Sequence, residues 1–299
     1  MEKRMNETIL EFYREEIRDG YPVTEKLKHI WKIELDILQE ILRICNKYKI
    51  HYIAYGGTLI GGVRHKGFIP WDDDLDIAML RDDYEIFLEK AEKELDVKKF
   101  CLQRSEIAGE IYEGFARIRH NHSTAIIERD RNKKCNHGIF IDIFPLDEIP
   151  EGKMARMIQF KEIKFLSALL YYHTYRGNSL EGGIKGLLVG FIKRQKTWDK
   201  IADQVKKICM KYNGRGGEKV GILSCDPYDE KCWWYLEDIT DTIEIEFEYI
   251  RLCIPRNYDR CLTIGYGDFM EFPPEEERGK WHGDKIFFDP YEPFAKYIE

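Results

Sequence analysis

Between Gly56 and Ile77 the chain runs from a paired glycine, Gly56-Gly57, to four acids within five residues, Asp72, Asp73, Asp74 and Asp76. No other stretch limits the fold as tightly. Glycines permit a sharp turn and a close approach of backbone to a ligand, and clustered aspartates hold a hard cation such as magnesium or manganese. Ile50 to Tyr55 reads as a strand running into the turn. Thr58 to Arg64 reads as a short helix whose N-terminus faces bound phosphate, and Leu75 to Leu80 as a second strand. The segment therefore points to chemistry on a nucleotide or another phosphate ester.

Residues two apart on a strand share a face, so Asp74 and Asp76 are expected to project together and grip one or two divalent cations. Asp142 interrupts the apolar run Ile139-Phe140-Ile141-Ile143, where an unpartnered carboxylate is costly, and a shared cation is the economical partner. Asp142 is also placed to accept the proton of an incoming hydroxyl. Asp72 and Asp73 read equally as a solvated loop. Gly57 and Thr58, with Arg64, His65 and Lys66, are candidates for holding phosphate, against a plain exposed loop for each basic residue.

The surrounding pattern is a mixture of strands and helices. Thr24 is placed to cap a helix in which Leu27, Ile30, Trp31, Leu35, Leu38, Ile41, Leu42 and Cys45 recur at three- and four-residue intervals. Asp83 to Leu95 is helical by period, and Lys99–Gln103, Phe115–His120 and Ile139–Phe144, the last ended by Pro145, read as strands. From about residue 151 the pattern changes to long helices, Met154–Tyr175 and Gly183–Tyr212, and then to short mixed elements from Val220. The expectation is an α/β (α+β) fold, a mixed sheet flanked by helices with an inserted helical region.

A net charge of −7 offers no general basic field for nucleic acid, so a nucleic-acid substrate is not expected. The opening residues lack an apolar signal stretch and no segment reaches the length of a membrane span, which reads as cytoplasmic. Residues 184–196, apolar and edged by lysine and arginine, suit a buried helix or, alternatively, peripheral membrane contact at the inner face of the membrane. The eight cysteines contain no C-x-x-C pair, and Cys135 and His137 with Cys225 and Cys232 fit zinc spacing only loosely.

Three blocks together, Tyr55–Met79, Asn136–Asp147 and Tyr266–Met270 with Pro273-Pro274-Glu275-Glu276 and Arg278, resemble the LicD family of the nucleotidyltransferase-fold superfamily. That family includes phosphocholine transferases acting on bacterial surface glycans, and fukutin and fukutin-related protein are its eukaryotic relatives. The resemblance implies that Gly56-Gly57 is the superfamily glycine motif, Asp74 and Asp76 the paired metal ligands, and Asp142 the third carboxylate. It further implies a nucleotidyltransferase-like core over 1–150, a helical insertion over 151–215, and a C-terminal mixed region over 216–299 that completes the active site.

The implied reaction is metal-dependent transfer of a phospho-alcohol from a CDP-linked alcohol donor to a hydroxyl of a glycan or lipid-linked glycan, releasing CMP. Arg117 and Arg119, co-facial on a strand, are then candidates for the diphosphate, and Arg278, Lys280 and His282 match a basic region near the family's C-terminal motif. Trp233, Trp234, Tyr235, Trp71 and Tyr266 are available to hold a quaternary ammonium, as choline requires. Three alternatives stay open on sequence: a nucleotidyltransferase proper releasing pyrophosphate, a glycosyltransferase using Asp74-Leu75-Asp76, and a catalytically silent binding protein of the same fold.

Overall fold

The computed structural model describes residues 12–104, 113–176, 195–279 and 285–298. A hairpin of β1 (Glu16–Arg18) and β2 (Tyr21–Val23) leads to Thr24, whose hydroxyl accepts from the Leu27 amide at 3.2 Å and starts helix α1 (Glu25–Tyr48). Lys49, in the left-handed region at φ 55°, closes the helix with its amide on the Cys45 carbonyl. The expected apolar stripe faces the core, where Trp31, Leu35, Leu38 and Ile41 are fully enclosed. Each such side chain contributes roughly 1.5–3 kcal/mol by leaving water.

The stripe packs on a mixed sheet of seven strands among the described residues. Its central pair is β4 (Asp76–Leu80) and β8 (Phe140–Ile149), parallel and in the register Asp76 to Asp142. On the outer side of β4 lies β3 (Ile53–Ala54), antiparallel. The other side of β8 is shared by β6 (Ala116–His120) and β9 (Lys219–Gly221), which are extended in turn by β5 (Phe100–Gln103) and β10 (Trp234–Tyr235). A parallel pair needs a crossover, and α3 (Arg81–Glu94) lies on it. The expected mixed sheet flanked by helices is thus the fold observed.

Two strand boundaries differ from the sequence reading. The first strand is two residues long because Tyr55 already serves as the N-cap of the next helix. The strand expected to stop at Pro145 runs on to Ile149. Asp142 donates its amide to Leu75 on the β4 side, so by alternation Pro145 turns its nitrogen the other way, into the gap between β6, which ends opposite Ile143, and β9, which begins opposite Asp147. No ladder donor is needed there. Two further pairs lie outside the main sheet: β7 (Thr124–Ile127) with β13 (Ile286–Asp289), and the hairpin β11 (Thr242–Phe247) with β12 (Ile250–Pro255).

Beyond residue 150, α4 (Lys153–Arg176) and α5 (Gln195–Cys209) share a second apolar cluster that includes Phe160, Ile163, Leu170, Trp198 and Val205. Residues 184–194 of the apolar segment with basic edges lie outside the described residues. Among those described, no helix is long and apolar enough to cross a membrane. Two short helices, α6 (Leu236–Thr240) and α7 (Tyr258–Tyr266), complete the chain's C-terminal third.

A buried ion pair ties the sheet to this region. Arg81, directly after β4, holds Asp147 of β8 through two bonds of 2.9 and 2.6 Å, and Asn213 adds a third at 2.9 Å. Neither charge is exposed beyond 4%. Replacing Arg81 by Met leaves a buried carboxylate without its counter-charge and is expected to cost about 3–5 kcal/mol. Urea unfolding checks this as a lower midpoint at an unchanged slope.

Candidate active site

At Tyr55 the chain turns from β3 into α2 (Gly56–His65), and both glycines are required by what lies against them. Gly56 sits at φ +55°, and a β-carbon there would stand 3.1 Å from Asp76 Oδ2. At Gly57 it would fall 2.6 Å from Asp72 Oδ2. The Tyr55 side chain makes no capping bond, so the first amides of α2 are presented to the acids and to any phosphate entering beside them. Thr58, expected to hold phosphate, is instead committed to the fold: it is 4% exposed and its hydroxyl accepts the Asp76 amide at 2.7 Å.

Asp72, Asp74 and Asp76 line one cleft of about 580 Å³ whose opposite wall comes from Tyr266, Asp268, Phe269 and Phe272. The acidic loop is anchored from α1, where Trp31 donates its indole N–H to the Asp72 carbonyl at 2.8 Å and stacks on Phe68 at 4.6 Å. Asp142 is the registered neighbour of Asp76 on the adjoining strand, so their side chains leave the sheet on the same side. Its carboxylate is gripped by Arg117, at 2.6 Å from Nε and 3.2 Å from Nη2. Burial, followed by the charges of Asp74, Asp142 and Asp72, pushes the Asp76 carboxyl well above the usual carboxylate range.

One member of this cluster escapes the motif. Glu34 of α1 is 1% exposed, its Oε2 has no hydrogen-bond partner, and its carboxyl is pushed well up by burial and then by Asp74, Asp73, Asp72 and Asp76. A signal for it exists in the sequence: position 34 falls on the inward stripe between Trp31 and Leu38, where an acid is out of place.

As placed, no three metal-donor side chains among the described residues converge on one point, because Asp142 turns toward Arg117. The donor chemistry nonetheless fits a hard divalent cation, since every available ligand is a carboxylate oxygen and the crowding leaves Glu34 Oε2 without a partner. The looser Cys/His alternative does not assemble. Cys135 Sγ lies 3.5 Å from His137 Nε2, whereas Cys225 bonds the Glu113 carbonyl and Cys232 the Asp229 carboxylate.

The basic residues divide into those facing the cleft and those serving the fold. Arg64 is held over the Phe272 ring at 4.9 Å by the carbonyls of Phe269 and Glu271, and Arg278 lies 4.8 Å from the Trp71 ring. Their mutual proximity, after burial, lowers Arg64 below the usual guanidinium range. His65 supports Arg64 rather than meeting phosphate itself: Arg64 Nε donates to its Nε2 at 2.8 Å, so the ring proton sits on Nδ1, facing Asp19 at 2.6 Å. Burial and the Arg64 charge hold that imidazole neutral. Lys66 is the exposed C-cap of α2 at φ 57° and does not line the cleft.

Arg117 and Arg119 are co-facial, as expected, each 4.5 Å from the Phe140 ring. Neither offers the diphosphate an open guanidinium. Arg119 is 1% exposed and spent on Gln103 Oε1 at 2.5 Å and the Gly138 carbonyl at 3.0 Å, while Arg117 orients Asp142. Arg64 lines the cleft, and Arg278 lies beside it against the Trp71 ring. Lys280 and His282 lie outside the described residues.

Residues 49–167 match the family model described as LicD/FKTN/FKRP, nucleotidyltransferase domain, a span that contains the glycine turn, the acidic loop and Asp142. Over 254 residues the chain is 30% identical to the lipopolysaccharide cholinephosphotransferase LicD of Haemophilus influenzae, covering 83% of this chain and 92% of that protein. Shorter stretches match RP689 of Rickettsia prowazekii, 43% identical over 54 residues (18% of this chain, 20% of that protein), and RT0683 of Rickettsia typhi, 43% over 47 residues (16% and 15%).

The raised carboxyls set a pH dependence. A group whose folded pKa lies above its unfolded value binds more protons when folded, so its stability contribution is present below about pH 4, the unfolded range, and is lost as pH rises. Freed of divalent cations, the protein is expected to melt at falling temperature as pH climbs from about 4 toward neutrality, and millimolar magnesium to reverse the loss. Glu34→Gln should flatten the cation-free slope. Differential scanning calorimetry decides it, and a profile indifferent to both pH and magnesium would show that these acids do not share a field.

Proposed function

The chain belongs to the LicD family of transferases, and on that footing we propose that it moves phosphocholine from CDP-choline to a hydroxyl of a lipopolysaccharide-type glycan, releasing CMP, with magnesium or manganese as cofactor. One observation carries the reading: Asp76 and Asp142 stand side by side on adjacent parallel strands, and Asp74 and Asp76 line a cleft that opens against the Gly56-Gly57 turn.

Each residue then has a physical task. The amides at the start of α2, with the positive end of its dipole, receive a phosphate oxygen, and both glycines allow that approach. Arg64 and Arg278, braced on Trp71 and Phe272, neutralise the diphosphate at the rim. Asp74, Asp76 and Asp142 would hold the cation, which when bound supplies charge neutralisation for the phosphate oxygens and leaving group. Arg117 holds the Asp142 carboxylate beside Asp76, and one of its oxygens would accept the proton of the arriving hydroxyl.

The head group is favoured by the same cleft. Tyr266, half exposed, stands with Asp268, Glu271 and Glu277, and a face of aromatic carbon and carboxylate suits a quaternary ammonium better than a neutral polyol. Of the other aromatic side chains available by sequence, Trp233 and Tyr235 border a separate hollow and Trp234 packs on Tyr55 at 4.7 Å.

A panel of CDP-linked alcohols offered with magnesium, scored for CMP, tests the assignment. CDP-choline should be used ahead of CDP-glycerol and CDP-ribitol; pyrophosphate released from CTP in place of CMP would instead establish a nucleotidyltransferase. Asp74→Asn, Asp76→Asn and Asp142→Asn are each expected to lower kcat by about two to four orders of magnitude with the circular dichroism spectrum unchanged. Full turnover in any of them removes that residue from the mechanism.

A further inference from the structure

A second hollow, of about 420 Å³, lies beyond the last turn of α7 from the acidic cleft. Ile264 of that turn lines it, and Tyr266, two residues on, lines the acidic cleft. The strand side is equally shared: Trp234 packs on Tyr55 at the glycine turn, while Trp233 and Tyr235, on alternate positions, border the hollow. The two sites are therefore neighbours with a common wall, and none of the residues lining the hollow serves the donor chemistry described above.

Its lining is basic and aromatic in a chain whose net charge is −7. Arg156 of α4 lies 5.8 Å from the Trp233 ring, and Lys219 of β9 and Arg260 of α7 lie 5.0 and 4.2 Å from the Tyr235 ring. Arg260 is neutralised at once by Asp238 and Glu237, at 2.7 and 2.6 Å. Arg156 and Lys219 have no carboxylate partner among the described residues, and the single acid bordering the hollow, Glu230, pairs with neither. Two cations without a carboxylate partner among the described residues thus border one hollow, and lysine and arginine take an oxyanion.

We propose that this hollow is an acceptor subsite that binds a sugar carrying a phosphate, seating the glycan so that a neighbouring hydroxyl reaches the acidic cleft past the end of α7. The inference rests on the reading of the acceptor as a glycan, and it assigns Arg156 and Lys219 to its recognition by charge, with Tyr235 bordering the seat.

The test is a binding measurement on the whole chain without turnover. The phosphorylated oligosaccharide core of lipopolysaccharide, and the same core after phosphatase treatment, are titrated calorimetrically into the wild type, the Arg156→Ala/Lys219→Ala variant and the charge-preserving Arg156→Lys/Lys219→Arg variant. The phosphorylated core should lose about tenfold in affinity on dephosphorylation and a similar factor in the alanine variant, with the charge-preserving variant near wild type and CDP-choline affinity unchanged in all three. Equal affinity of wild type and alanine variant, equal affinity for both cores, or no binding of the phosphorylated core to the wild type would each overturn the proposal. Failure of CDP-choline turnover alone would remove the donor chemistry and leave this site standing.

Discussion

Carboxylate crowding against bare backbone is the constraint on which the rest of the site depends. Asp72 and Asp76 press on Gly57 and Gly56 so closely that a single added methyl group at either position has no room or is tightly pinched. The acids are held there by covalent continuity with β4, by the Thr58 hydroxyl on the Asp76 amide and by the Trp31 indole on the Asp72 carbonyl. Burial, and then like charges kept this near one another, raise the proton affinity of Asp76 and Glu34, so the fold stores an electrostatic cost that a proton or a cation must offset. The same cost makes the cleft receptive.

Around that point the structure sorts cations by distance from the acids. Arg117 is drawn inside and spent on Asp142, and Arg119 is enclosed behind it on Gln103 and Gly138. Arg64 and Arg278 stay near the rim, propped by aromatic faces and backbone carbonyls, which keeps two positive charges close to one another. The inner arginine serves a carboxylate and the outer pair the rim, a division that follows from geometry and not from residue type.

The C-terminal segment shows how the architecture completes a site that the first half only begins. Tyr266, Asp268 and Phe272 form the wall facing Asp74 and Asp76, although they are nearly two hundred residues away in sequence. α7 carries this wall on one side and lines the basic hollow on the other, so a single helix end borders both.

What could be read from the residues alone was whatever short-range sterics and periodicity dictate. The Thr24 cap, the α1 stripe and the turn at Gly56 all depend on neighbours within a few positions, and each stands where the pattern placed it, while Asp74, in the loop ahead of the strand, lines the same cleft as Asp76. Asp142 stood out as an acid interrupting an apolar run, and family resemblance added the 266–278 segment. Tertiary structure alone decided which group each charged side chain would meet: Thr58 went to a strand amide, His65 to Arg64, Arg119 to the interior, and Glu34 onto the acids from a helix that looked merely structural. Partner choice depends on strand register and on helix packing across scores of residues, and no local rule of backbone or side chain reaches that far.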